Sequence, residues 1–412
     1  MNKWKKIYDN KSDHEKVLIF KIIDDIESWL LSNYVEKKIT DYSLLNGSTG
    51  ISLFFAYLSQ LKKDTKRLRF AEALIDKSFN ELQSSTFMYG NGLPGMLFCY
   101  QHLINEKLFQ GDHDSLKFLE SYDKKIAKEI SALTKEKNYD LFFGLVGIGV
   151  YFLERHRYSD RSKYLKKIAE SLISISESID SNIAWIYYSE GKHDVISKPT
   201  VCLGFVHGIP SIITFLTLIK DLLPKRFYKE FLESTIKFLA GTYKIGKGHY
   251  GFSQEINPIT LKRDFKSRLA YCYGDLGIAY SLYRIAKAIE NKQLEHFSLF
   301  VAHKMTDVSI HESGVIDSSI CHGSAGNSLI FNKFYQYTGA LEFLNAAKYW
   351  TKITLNFYER NGLAGLDFPD PSQKNKIRYP DPGLLQGYSG IGLALLATIS
   401  DTPPSWERSL LL

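Results

Sequence analysis

Seven times along the chain a polar or aromatic residue precedes Gly-x-x-Gly or a near variant, and an almost uninterrupted apolar run follows. The turns are Asn46-Gly47-Ser48-Thr49-Gly50, Asn91-Gly92-Leu93-Pro94-Gly95 and Phe143-Gly144-Leu145-Val146-Gly147, then His207-Gly208-Ile209-Pro210-Ser211, where serine replaces the second glycine. Tyr273-Gly274-Asp275-Leu276-Gly277, His322-Gly323-Ser324-Ala325-Gly326 and Gln386-Gly387-Tyr388-Ser389-Gly390 complete the set. Runs such as Ile51 to Leu58 and Ile278 to Tyr283 are apolar on most faces, which predicts helices buried on both sides. Between them lie stretches such as Ser162 to Ser178, where Tyr164, Ile168, Leu172 and Ile175 recur three or four apart among charges. That period predicts amphipathic helices with one face in solvent.

The first glycines are separated by between 45 residues (Gly47 to Gly92) and 66 (Gly208 to Gly274), room for a helix, a return helix and loops. Each repeat therefore predicts a helical hairpin. Glycine suits the turn in two ways: the first can take positive φ, and the second lets the inner helix start close against its neighbour. Two concentric layers of such hairpins make an α/α toroid, with no unpaired end repeats. Repetition alone also allows an open solenoid. The expected fold is a single all-α domain over 1–412. The longest repeats hold two irregular stretches, 183–198 and 246–266, whose short β-like runs predict a small extension or plain surface loops.

Composition narrows the class without naming it. The 44% apolar and 24% charged residues are ordinary for a soluble globular chain. The first thirty residues lack the uninterrupted apolar segment of a signal peptide, and no run approaches the roughly 18 apolar residues of a membrane span. Four cysteines are too few for a disulfide framework and fit a reducing cytoplasm. The net charge of +7 is dispersed over short Lys/Arg groups, and no nucleic-acid module accompanies it.

Candidate chemistry falls in the turns. Relative to each first glycine, Asp140 stands four residues before, His207 one before, Cys272 two before, Cys321 two before and His322 one before. These five belong to four consecutive repeats and would share one rim. Two cysteines and a histidine match a zinc site that keeps its fourth position open. A buried thiol beside a capping histidine is the plainer alternative, weakened by Cys272 in the matching frame. Cys99 and Cys202 lie in apolar surroundings and read as core. His193, His249, His303 and His311 fall in polar stretches and read as exposed.

These motifs carry a family resemblance. Cys272-Tyr273-Gly274, Cys321-His322-Gly323, His207-Gly208-Ile209-Pro210 and the seven glycine turns resemble the LanC lanthionine synthetases, from about Leu44 to Ile399. The resemblance implies an α/α toroid that holds one Zn²⁺ through Cys272, Cys321 and His322. It also implies that the enzyme closes thioether rings in a dehydrated ribosomal peptide. It matches His207 and Asp140 to the acid/base histidine and its aspartate, and Arg268 and Tyr273 to further active-site positions. Ser211, where a glycine is common, departs from the pattern and bears only on local helix packing. The implied partners are a precursor peptide with its leader, a separate dehydratase and an exporter, placing the protein in the cytoplasm or peripherally at the inner face of the membrane. The extension segments would then grip the leader.

The chemistry of the residues agrees with that implication. A free thiol has a pKa near 8.5, so adding one to dehydroalanine or dehydrobutyrine at neutral pH calls for a metal that deprotonates it. The enolate formed by addition needs a proton at Cα, for which His207 is suited, oriented by Asp140. Arg268 fits the developing enolate oxygen or Asp140, and its pairing with Asp264 is the structural alternative. Three other functions share parts of this pattern: a LanC-like protein acting on glutathione or modified proteins, a non-catalytic zinc scaffold, and a glycosidase. Thiols in place of paired carboxylates disfavour the last.

Overall fold

A computed structural model describes residues 4–9, 14–35, 40–80, 82, 85–187, 199–246, 248–264, 267–375 and 377–412. Each glycine turn leads into a helix: Ser48–Lys62, Leu93–Asn105, Leu145–His156, Ile209–Leu218, Asp275–Ala288, Ser324–Thr338 and Tyr388–Ile399. The apolar runs are buried as their patterning predicts, every residue from Ile51 to Ser59 and from Tyr388 to Ile399 among them. Helices such as Ser162–Ser174 bury one face only, through Leu165, Ile168, Ala169 and Leu172. Leu165, Ile168 and Leu172 each contribute roughly 1.5–3 kcal/mol on full burial.

Most of the seven helices start in one way, and it differs from the expected one. Six of the seven first glycines have negative φ, with backbone extended into the helix; only Gly274 is left-handed, at φ +113°. None of the seven helices has a side-chain cap hydrogen bond to its first turn. In five of them the carbonyl six residues before the glycine takes that part instead. Ser48 N–H donates to Asp41 O at 3.0 Å, Leu93 to Thr86 at 2.8 Å, Leu145 to Asn138 at 3.0 Å, Ser324 to Asp317 at 3.0 Å and Tyr388 to Asp381 at 2.8 Å. A helix leaves its first N–H groups without intrahelical partners, and here a folded-back loop satisfies one of them. The loop then lies so close that a Cβ on Gly92 would stand 2.2 Å from Thr86 O, and one on Gly387 2.1 Å from Asp381 O. Glycine is needed for this approach and, apart from Gly274, not for positive φ.

Three of the second glycines, Gly50, Gly95 and Gly390, meet their own turn and a neighbouring repeat together, as expected, whereas the nearest atoms to Gly277 and Gly326 belong to their own turn. A Cβ on Gly50 would lie 3.0 Å from Leu384 Cβ, and one on Gly95 2.9 Å from Leu44 Cβ. Ser211 stands in the fourth turn without disturbing it, buried with its hydroxyl donating to Gly208 O at 3.1 Å.

The chain forms two compact units, Met1–Asp112 with Ser309–Leu410, and His113–Val308 with Leu411–Leu412. Within the first, successive turns are stitched by backbone hydrogen bonds: Leu45 N–H to Gly90 O (3.1 Å), Leu384 and Leu385 N–H to Leu45 O (2.7 and 3.1 Å), and Cys321 N–H to Leu385 O (3.1 Å). The seventh turn is thereby joined to the first, whereas an open solenoid would keep them apart. Within the second unit, Leu141 N–H donates to Val206 O at 3.2 Å and Val206 N–H to Cys272 O at 3.3 Å.

Strands are few and short among the described residues. Glu177–Ile179 pairs antiparallel with Asn182–Ala184. Val201–Cys202, Glu255–Ile256 and Arg263–Asp264 form an antiparallel three-stranded sheet, with Cys202 opposite Glu255 and Ile256 opposite Arg263. Residues 188–198 of the first expected extension, and 247, 265 and 266 of the second, lie outside the described residues. No helix among the described residues is long and apolar enough to cross a membrane.

Candidate functional site

The third turn presents Asp140 through its own local bonding. Its Oδ1 accepts the Phe142 and Phe143 N–H groups at 2.7 and 3.0 Å, closing the loop ahead of the Leu145–His156 helix. The other oxygen, Oδ2, is 2.5 Å from His207 Nδ1. Because that carboxylate accepts the hydrogen bond from Nδ1–H, Nε2 is the ring position left to exchange a proton. Burial pulls the His207 imidazole down, but the hydrogen bond and charge of Asp140, with the Cys272 thiol, outweigh it and hold the ring above its ordinary value.

Tyr273 lies beside this pair, its ring 5.6 Å from the His207 ring and tilted 36°. Its hydroxyl faces Cys202 Sγ at 3.9 Å, and a Cβ on Gly204 would meet its ring at 2.5 Å. Burial first, and the Cys202 thiol next, push the phenol far above its usual range, so Tyr273 keeps its proton and is a donor. Burial likewise pushes the Cys202 thiol up to about 12. Cys202 is buried, as its apolar surroundings predict, but it also backs a site residue, which the sequence reading did not anticipate. Arg268 is half-buried at the start of the fifth turn, where its carbonyl would stand 1.9 Å from a Cβ on Gly274. The side chain of Asp264, its suggested partner, lies outside the described residues.

The sixth turn presents two neighbouring side chains from one loop. Asp317 Oδ1 accepts Ser319 N–H at 2.7 Å, Gly323 N–H bonds Ser319 O at 3.1 Å, and His322 N–H bonds Ser319 Oγ at 3.3 Å. Neighbours on a helix diverge, but these two precede the first helical residue, in a bend held by those bonds. One ligand atom each from Cys272, Cys321 and His322 lies within 4.8 Å of the other two. Tetrahedral zinc with bonds of about 2.0–2.3 Å sets its ligand atoms roughly 3.5–3.8 Å apart, so a small contraction would suit the ion. Two thiols and an imidazole are also the soft donor set that zinc favours. Asp317, which sequence reasoning did not single out, stands 3.4 Å from His322 Nε2.

The remaining candidates fall elsewhere. Cys99 is buried and its thiol donates to Thr49 O at 3.4 Å. His303 and His311 are exposed as expected, His249 is half-buried, and His193 lies outside the described residues.

Fold and donor set together define a class, an all-α repeat protein with two cysteines and a histidine gathered at turns that begin its inner helices. Residues 38–411 match the lanthionine synthetase C-like protein family, and the chain belongs to it. A solved structure of nisin cyclase superposes with a TM-score of 0.72, covering 96% of this chain and 98% of that one at 18% sequence identity. At that identity the likeness concerns the fold: the all-α class expected from the repeats is that of a helical toroid.

Proposed function

We propose that the protein is a zinc-dependent lanthionine synthetase that closes thioether rings in a dehydrated precursor peptide. The observation that carries this is the gathering of Cys272, Cys321 and His322 within 4.8 Å, in a chain of the lanthionine synthetase C-like family. These three residues would hold the ion, which when bound lowers the pKa of a thiol in its remaining coordination position. The reaction joins the cysteine sulfur to Cβ of dehydroalanine or dehydrobutyrine, breaks the C=C π bond, and leaves an enolate that takes one proton at Cα.

His207 delivers that proton from Nε2, since Asp140 occupies Nδ1 and favours the charged ring. A positioned acid of this kind is typically worth about 10²- to 10⁴-fold. Tyr273, kept protonated by burial, packs on the imidazole and offers a hydroxyl donor. Arg268 supplies positive charge for the enolate oxygen or for Asp140. The precursor's leader, a separate dehydratase and an exporter are the partners this activity calls for.

The test combines metal analysis with a ring-closure assay on a dehydrated, cysteine-containing peptide carrying its leader. Cyclisation leaves peptide mass unchanged and removes free thiols, so alkylation before and after incubation reads it directly. One zinc per chain and thiol loss dependent on Cys321 support the proposal. Zinc-free wild-type protein, or thiols that persist with the zinc-loaded protein, would overturn it.

A further inference from the structure

Asp317 stands six residues before Gly323, the place that Asp41 and Asp381 hold before Gly47 and Gly387. In all three turns Oδ1 accepts the N–H two residues on, at 2.8 Å from Ser43, 2.7 Å from Ser319 and 2.7 Å from Gly383. That bond builds the turn and accounts for one carboxylate oxygen. The other oxygen of Asp317 is different, because the residue is 1% exposed and its Oδ2 has no hydrogen-bond partner among the described residues. A carboxylate oxygen buried without a donor is costly. His322 Nε2 stands 3.4 Å from it, longer than a formed hydrogen bond and within reach of a small ring rotation.

We infer that Asp317 is a positioning residue for the metal ligand His322. Its Oδ2 accepts the Nε2 proton, which settles the tautomer and leaves the Nδ1 lone pair for zinc. Phe368 packs edge-on to the same ring at 5.7 Å and narrows the orientations open to it. Ligating histidines commonly donate their second N–H to a carboxylate, and losing that partner typically lowers metal affinity about 10- to 100-fold. One residue thus does two tasks, building the turn with one oxygen and aiming a ligand with the other. The inference rests on the zinc site proposed above.

The experiment compares zinc affinity, by competition with a chromophoric chelator, and the Co²⁺ absorption spectrum in wild type, Asp317→Asn and Asp381→Asn. Asparagine keeps the acceptor for Ser319 N–H but turns an NH₂ group toward the imidazole. The expected result is zinc binding about 10- to 100-fold weaker, with an altered cobalt spectrum, in Asp317→Asn alone. Equal affinity and identical spectra in the two variants would overturn the role of Asp317 while leaving the zinc site standing. A wild-type protein that binds neither ion would remove the site itself and this role with it. Should Asp317→Asn fail to fold, Asp317→Thr carries the same comparison, because Thr86 holds the equivalent place in the second turn.

Discussion

The sixth and seventh turns are nearly the same structure with different side chains. Each has an aspartate six residues before its glycine, the same 2.7 Å Asx bond, and the same carbonyl receiving the first N–H of the helix. They are hydrogen bonded to each other through Cys321 N–H and Leu385 O. The two residues before the glycine are Cys321 and His322 in one turn and Leu385 and Gln386 in the other. The turn itself is therefore a stability device, repeated because every inner helix must begin against its neighbour. The candidate metal donors of the sixth turn arise from exchanging side chains at two fixed places while the turn's hydrogen bonds stay the same.

Substitutions can break that equivalence. Cys321→Ala and Cys272→Ala should each abolish stoichiometric zinc, read by elemental analysis, and with it ring closure. Leu385→Ala, at the place matching Cys321, should keep the metal and cost about 2–5 kcal/mol in denaturant unfolding, because Leu385 is nearly buried. Normal zinc in either cysteine variant would undo the ligand assignment. His207→Ala should retain zinc and slow cyclisation about 10²- to 10⁴-fold, and an unchanged rate would return His207 to a structural role.

The shared backbone has its own signature. Gly387→Ala should destabilise by about 3 kcal/mol, since its Cβ would stand 2.1 Å from a backbone carbonyl. Gly241→Ala, with nothing within 4 Å, should be neutral or stabilise by up to about 1 kcal/mol. Similar melting temperatures for the two variants would deny the turn its close approach.

The smallest effect belongs to the fifth turn, where Asp275 accepts Gly251 N–H at 2.7 Å and is fully buried. Burial raises its carboxyl to about 6, only partly offset by the Gly251 and Phe252 N–H groups. The folded protein then binds this proton more tightly than the unfolded chain, whose carboxyl titrates near 3.9. Its contribution to stability therefore falls as pH rises through the interval between those values. Between pH 5 and pH 7 the loss is about 1 kcal/mol. Unfolding of wild type and Asp275→Asn at both pH values should show that difference in slope; parallel slopes would refute it.

Much of the fold was legible because its signals are local. The glycine turns, the apolar runs after them and the three-to-four period between them each span fewer than twenty residues, and helices form on that scale. The glycine's purpose was only half visible. Sequence suggested positive φ, which holds at Gly274, while at Gly47, Gly92, Gly144, Gly208 and Gly387 the reason is a carbonyl six residues back, and at Gly323 the Ser319 nitrogen and Asp317 Oδ1 of the same loop, none of which pattern reading locates. Asp317 had a signal that went unread, the recurrence of Asp or Asn six residues before the glycine at Asp41, Asn138, Asp317 and Asp381. Cys202 and Arg268 fill that same place in the fourth and fifth turns.

By itself the sequence determined the seven repeats, their helical elements and the residue types offered at each turn, because propensity, patterning and turn chemistry act over neighbouring residues. It also carried the family resemblance. Only the tertiary structure decided that donor atoms of Cys272 and of Cys321 and His322, 49 and 50 positions further on, lie within 4.8 Å of one another, or which oxygen of Asp140 faces His207. It likewise decided that the spare oxygen of Asp317 lies beside His322. Those facts depend on how whole repeats pack, and a separation of a few ångströms between side chains far apart in sequence is fixed by the summed geometry of every residue between them.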